Sequence, residues 1–283
     1  MERWVIASGK GGTGKTTLAT GMARVLMSYG SAQYVDCDVE EPNGRLYLRP
    51  VIREQMDVTV PVPVVDNDVC TRCGACGRFC RYGAVACLLT QTMVFPEMCH
   101  GCGGCLLVCP HGAMTEGSRV AGQVSTGDAG ALHFVEGRLN IGEAMSPPVV
   151  RAALRAVRDT AYIVVDAPPG ASCPVVAAIT GADKLVLVAE PTAFGLNDLS
   201  IIVELAQQTG VPAGVVINRC DMGDDRVDRY CQAHGVPVWG RLPFDRVLAE
   251  RTAHGGWDVS EDAEWMRRIA DIVAAIHGVQ RHA

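Results

Sequence analysis

Two sets of residues in this sequence have the types and the spacing that chemistry requires. Cysteines fall at Cys70, Cys73, Cys76 and Cys80, followed by Gly83 and Ala84. The same register returns at Cys99, Cys102, Cys105 and Cys109, followed by Gly112 and Ala113. Three thiolates on one tight loop can cover one face of an iron–sulfur cubane, and a fourth from the other half of a duplicated unit can close it. The second set is Gly9-Lys10-Gly11-Gly12-Thr13-Gly14-Lys15-Thr16-Thr17, which fits the phosphate loop Gly-x-x-x-x-Gly-Lys-Ser/Thr. Glycines there let the backbone curl until its N–H groups face a phosphate chain, and the positive end of the following helix adds to the attraction. On this motif Lys15 reaches the β- and γ-phosphates of ATP, Thr16 ligates Mg²⁺, and Gly11, Gly12, Thr13, Gly14 and Thr17 complete the cradle.

The cysteine spacing is that of bacterial two-cluster ferredoxins. It assigns one [4Fe–4S] cluster to Cys70, Cys73, Cys76 and Cys109, and a second to Cys80, Cys99, Cys102 and Cys105. Gly74, Gly77, Gly101, Gly103 and Gly104 let the loops wrap and turn N–H groups toward the sulfurs. Zinc also suits Cys-x-x-Cys, but a duplicated set of four favours clusters. The halves differ at one place, where Arg81 follows Cys80 and Pro110 follows Cys109. Cys87, Cys220 and Cys231 share no ligand spacing and read as small core or surface residues.

These residues need elements to hold them. Short apolar runs at 4–7, 33–35, 162–165, 184–189 and 214–217 read as buried parallel strands. Helical patterns at 17–28, 149–158, 196–208 and 226–234 alternate with them, so the expected class is α/β, a mostly parallel doubly wound sheet. The rhythm breaks from about residue 58 to 117, where Pro61, Pro63 and eight cysteines intervene. The expected organisation is therefore an ATPase domain over 1–57 and 118–283, with an α+β ferredoxin-like domain inserted over 58–117.

Composition narrows the class further. With 283 residues, 48% hydrophobic and 20% charged, the chain can bury a sizeable core without disulfides or metal. The net charge of −6 argues against a general grip on nucleic acid or anionic lipid. No signal-peptide pattern precedes the first apolar strand, so the 13 cysteines read as reduced, cytoplasmic metal or redox groups. No apolar run approaches the ~20 residues that would span a bilayer. Trp265, Met266, Ile269, Ile272, Val273 and Ile276 fall at helical spacing, and packing on the sheet is expected of them rather than a membrane contact.

Lys10, in Lys-Gly-Gly-x-Gly-Lys-Thr, resembles the deviant phosphate loop of the MinD/ParA/Mrp/nitrogenase iron protein group, and the whole chain resembles the MinD-superfamily ATPases that carry an inserted ferredoxin domain. That resemblance implies an ATP-dependent homodimer in which Lys10 reaches the nucleotide of the facing subunit. It also implies that Asp36-Cys37-Asp38 is switch I, with Asp36 near Mg²⁺ and Asp38 orienting the attacking water. Asp166-Ala167-Pro168-Pro169-Gly170 is similar to switch II, with Asp166 holding Mg²⁺ through water. Asn218 resembles the family's adenine-reading asparagine, and Leu242-Pro243-Phe244-Asp245 its second base-contact loop, although Pro243 and Asp245 also suit a plain turn.

Cys173 follows Asp166 at the interval where the nitrogenase iron protein carries a bridging-cluster ligand. No second cysteine lies between Cys109 and Asp166 to complete such a site, so a buried structural thiol is expected. The functional expectation is a slow, partner-stimulated ATPase whose dimerisation and switch motion are coupled to electron transfer through the clusters toward a redox partner. The alternative is an ATP-dependent positioning or metallocentre-assembly factor with a scaffold partner and redox-sensing clusters.

Overall fold

The computed structural model describes residues 1–254 and 258–278. Its strands are β1 (Glu2–Ala7), β2 (Ala32–Asp36), β3 (Val51–Val65), β4 (Val85–Cys87), β5 (Thr92–Val94), β6 (Met114–Ala129), β7 (Leu132–Leu139), β8 (Tyr162–Asp166), β9 (Lys184–Ala189), β10 (Ala213–Asn218) and β11 (Val238–Leu242). Nine of them form one sheet in the order β11-β10-β9-β1-β8-β2-β7-β6-β3, and β4 pairs with β5 apart from it. The pairings from β11 through to β7 are parallel. Continuous Val, Ile and Leu runs produce this, because helices cover a parallel sheet and bury its strands. Trp4, Ile6, Tyr34 and Phe134 are wholly buried. The strand order reverses beside β1, which is where open α/β sheets place their ligands.

By internal contacts the chain forms two compact units. The first comprises Met1–Gln55, Val124–Arg138 and Val150–Ala283. In it the helix Lys15–Leu26 contacts β8 and the helix Ala263–His277. Trp265, Ile269, Ile272, Val273 and Ile276 of that last helix are buried, so its apolar stripe is used inside the core. No described helix is long and apolar enough to cross a membrane.

The second unit comprises Met56–Gln123 and Leu139–Val149. It contains the short helices Ala75–Phe79 and Gly104–Leu107 and the β4–β5 hairpin. These bounds are wider than the 58–117 read from the sequence. The cause is that β3 and β6 are continuous strands, so the change of unit falls within a strand instead of at a linker. Pro61 and Pro63 suggested a break, yet β3 is the edge strand of its sheet, where a missing N–H costs little. Residues 139–149 join the second unit because Asn140 Nδ2 donates to the Val120 carbonyl at 3.0 Å and Arg119 pairs with the buried Glu143.

In the first unit, Phe134 stacks on Tyr34 with centroids 5.8 Å apart. Phe134→Ala is expected to cost about 3–5 kcal/mol of stability through the cavity it leaves, measured by urea unfolding followed on the first unit's tryptophans.

Candidate functional site

The register of the parallel strands creates the site. Ile6 of β1 lies opposite Asp166 of β8, and Asp166 lies opposite Asp36 of β2. Both carboxylates therefore emerge at the strand ends, from which the glycine loop following β1 sets out. A Cβ on Gly9 would stand 2.3 Å from the Asp198 carbonyl, so only glycine passes there. Gly14 has φ 92° and begins the helix Lys15–Leu26 with no side-chain cap, leaving first-turn N–H groups to a ligand. Asn218, at the end of β10, donates from Nδ2 to the Thr13 carbonyl at 2.7 Å.

A cleft of about 580 Å³ opens here, lined by Gly11, Gly12, Gly14, Lys15, Thr16, Thr17, Asp38, Asn218, Pro243 and Asp245, together with Pro168, Pro169, Phe244 and Trp265. Asp245 also accepts the Leu248 N–H at 3.0 Å, so it caps the following helix Arg246–His254. Thr13, Asp36 and Asp166 lie beneath this lining and are buried. Lys10 Nζ lies 2.8 Å from Glu190, a nearly buried carboxylate that also pairs with Arg219. Glu190, Tyr34 and Trp265 carried no motif and were missed as site residues; only their place at or beside strand ends could have pointed to the first two.

Beneath the loop the carboxylates are crowded. Asp36 and Asp166 are fully buried, and the Tyr34 hydroxyl donates toward both, at 3.4 Å and 3.1 Å. Burial, then the Asp166 charge, holds Asp36 well above the ordinary carboxylate range, opposed by the Gly44 N–H. Burial likewise raises Asp166, opposed by Lys15 and the Thr16 hydroxyl. Asp38, 3.9 Å from Lys15 Nζ, is pushed up to about 6 by burial against the pull of that lysine. The Thr13 hydroxyl and Asp166 Oδ1 are buried without a hydrogen-bond partner. An open carboxylate oxygen among acidic neighbours, with the Thr16 hydroxyl near the same aspartate, fits a hydrated Mg²⁺.

The second unit holds two further hollows. One is lined by Cys70, Cys73, Cys76 and Cys109 with Cys87 and Thr92, the other by Cys80, Cys99, Cys102 and Cys105 with His100 and Glu116. In each, three cysteines come from one half of the repeat and the fourth from the other. Among the described residues no three His, Cys, Asp or Glu side chains converge as ligands of one ion. Four cysteines round a hollow are the donor set that either a zinc ion or a [4Fe–4S] cubane would take.

Three further cysteines stand as follows, two of them differently from expectation. Cys87, read as a core or surface residue, is on the wall of the first hollow. Cys173, expected to be buried, is exposed because it opens the helix Cys173–Ile179 at its first turn. Cys37 is fully buried, and burial followed by the Asp36 charge raises its thiol well above the usual range, which suits packing better than reactivity.

A profile of the CobQ/CobB/MinD/ParA nucleotide binding domain family matches residues 4–258. An uncharacterised protein of Methanocaldococcus jannaschii is 29% identical over 242 residues, 85% of this chain and 83% of its own length. A protein of the same organism named as an uncharacterised ATP-binding protein is 25% identical over 98% of this chain and 88% of its own length. Among solved structures, the septum site-determining protein MinD of Pyrococcus horikoshii, complexed with Mg-ADP, aligns with TM-score 0.59 and 16% identity over 100% of this chain and 99% of its own. MinD in the Aquifex aeolicus MinC:MinD complex aligns with TM-score 0.60 and 16% identity over 100% and 98%. Those two likenesses concern the fold.

Because Asp36, Asp38 and Asp166 are all raised, the folded chain holds their protons more tightly than the unfolded chain does. The stability this gives is full below the ordinary 3.8 and is lost as pH rises through about 6 for Asp38. In chelator and without nucleotide, the melting temperature is expected to fall between about pH 4 and pH 7, Asp38 contributing at most about 3 kcal/mol of the loss. Thermal unfolding of Asp38→Asn across that window should show a shallower fall.

Proposed function

The chain belongs to the CobQ/CobB/MinD/ParA nucleotide-binding family, and from that premise we propose that it binds and hydrolyses ATP and couples this to electron transfer through two [4Fe–4S] clusters in its second unit. The observation that carries the cluster half of this reading is the pair of hollows, each walled by four cysteines drawn from both halves of the repeat.

Each chain residue has a separate task. Lys15 and the N–H groups of the loop grip the β- and γ-phosphates. Thr16, Asp166 and Asp36 would hold a hydrated Mg²⁺, and Tyr34 engages one oxygen of Asp166 while Oδ1 stays open. Asp38 orients the attacking water and holds its proton. Asn218, Pro243 and Asp245 border the base. Lys10 leaves Glu190 to reach the nucleotide of a second copy, so hydrolysis is tied to a homodimer.

In the second unit the thiolates of Cys70, Cys73, Cys76 and Cys109, and of Cys80, Cys99, Cys102 and Cys105, hold the clusters. When bound, a [4Fe–4S] cluster supplies a one-electron carrier whose potential follows the hydrogen bonds to its sulfurs and its exposure. Gly101 N–H already donates to Cys99 Sγ at 3.4 Å. β3 and β6 run unbroken from one unit into the other, which gives switch motion a covalent path. A redox protein is the partner this chemistry requires.

Anaerobically reconstituted protein is expected to be brown, to carry about eight irons per chain, and to hydrolyse ATP at a rate that changes when dithionite reduces it. Lys15→Ala should abolish nucleotide binding. Lys10→Ala should keep binding but lose ATP-dependent dimerisation and hydrolysis, read by light scattering and phosphate release. Equal hydrolysis by oxidised and reduced protein refutes the coupling, and passage of the clusters to an apo-acceptor would turn the reading toward metallocentre assembly.

A further inference from the structure

Cys87 lies outside both ligand repeats, yet it lines the same hollow as Cys70, Cys73, Cys76 and Cys109. Its Sγ is 3.5 Å from Cys76 Sγ. It ends β4 and pairs in antiparallel register with Thr92 of β5. The Thr92 hydroxyl in turn is 3.3 Å from Cys70 Sγ. The backbone of Gly77, which follows Cys76, runs close to the same thiol: a Cβ there would stand 3.3 Å from Cys87 Sγ.

The position is built into the repeat. The register that carries Cys70 onto Cys99 carries Cys87 onto Glu116, and Glu116 lines the second hollow. Each hollow thus has a fifth wall position after its four cysteines, filled by a thiol in one and a carboxylate in the other.

We propose that Cys87 is a fifth ligand-competent thiol of the first cysteine hollow, placed to take over from Cys76 as a cluster ligand. This rests on the cluster reading given above. In the exchange the Cys87 S–H loses its proton to solvent as its bond to iron forms. The released Cys76 sulfur takes up a proton, and no electron changes hands. Among the described residues the sulfur in contact with Cys87 is that of Cys76, so Cys73 is expected to have no substitute.

The test uses the full chain, reconstituted anaerobically with ferrous iron and sulfide, in five forms: wild type, Cys87→Ser, Cys76→Ala, Cys76→Ala/Cys87→Ser and Cys73→Ala. Iron and sulfide content are measured, with electron paramagnetic resonance of the reduced samples. Wild type, Cys87→Ser and Cys76→Ala are expected to hold about eight irons per chain, and the other two about four. The Cys76→Ala spectrum should differ from wild type, because a different sulfur ligates one cluster. Loss of half the iron in Cys76→Ala, equal to that in the double variant, overturns the role of Cys87 while wild type keeps its two clusters. A wild-type chain that takes up no iron overturns the cluster reading itself.

Discussion

Asp166, Asp36 and Glu136 stand opposite one another on β8, β2 and β7, a row of three wholly buried acidic side chains that the rest of the first unit is arranged to tolerate. Each buried carboxylate carries a desolvation cost of several kcal/mol unless it is protonated, hydrogen-bonded or paired. Glu136 is paired, with Arg45 at 2.6 Å and Arg138 at 3.3 Å. Asp36 accepts the N–H groups of Gly44 and Asp38. Asp166 has the Tyr34 hydroxyl on one oxygen and the Thr16 hydroxyl nearby, while its Oδ1 has no hydrogen-bond partner. A divalent cation is the partner that would let Asp36 and Asp166 ionise together, and the phosphate loop stands where a nucleotide would bring one.

That constraint explains features without an obvious task. Tyr34 is wholly buried, and its phenol is raised well above the ordinary value by burial and then by the Asp166 charge, so it stays a proton donor between two acids. Phe134 fixes its ring. Lys15, itself nearly buried, faces Asp38 and lowers the cost of ionising it. Lys10 is drawn instead to Glu190, outside the acid row, so the two lysines of the loop are held apart.

Much of this was legible in the sequence, because strand runs such as Lys184–Ala189 and the glycine loop carry their own local physics. What was not legible depends on pairing across distance. β7 and the long strands β3 and β6 have mixed polar and apolar patterns, and Pro61 and Pro63 disguise an edge strand. Tyr34 looks like any strand residue until β8 is set beside β2. The cysteine repeat indicated two half-modules, but Cys87 reaches its neighbours through the β4–β5 hairpin, which no ligand spacing encodes. The burial of Cys37 and the exposure of Cys173 likewise follow from which strand or helix turn each occupies.

The open oxygen of Asp166 is placed to meet a cation brought by a nucleotide. Calorimetric titration of the full chain with ADP, in Mg²⁺ and in excess chelator, should give one nucleotide per chain, bound more tightly with Mg²⁺, and Asp166→Asn should remove that difference while leaving binding in chelator intact. Equal affinity in Mg²⁺ and in chelator for the wild-type chain would contradict it.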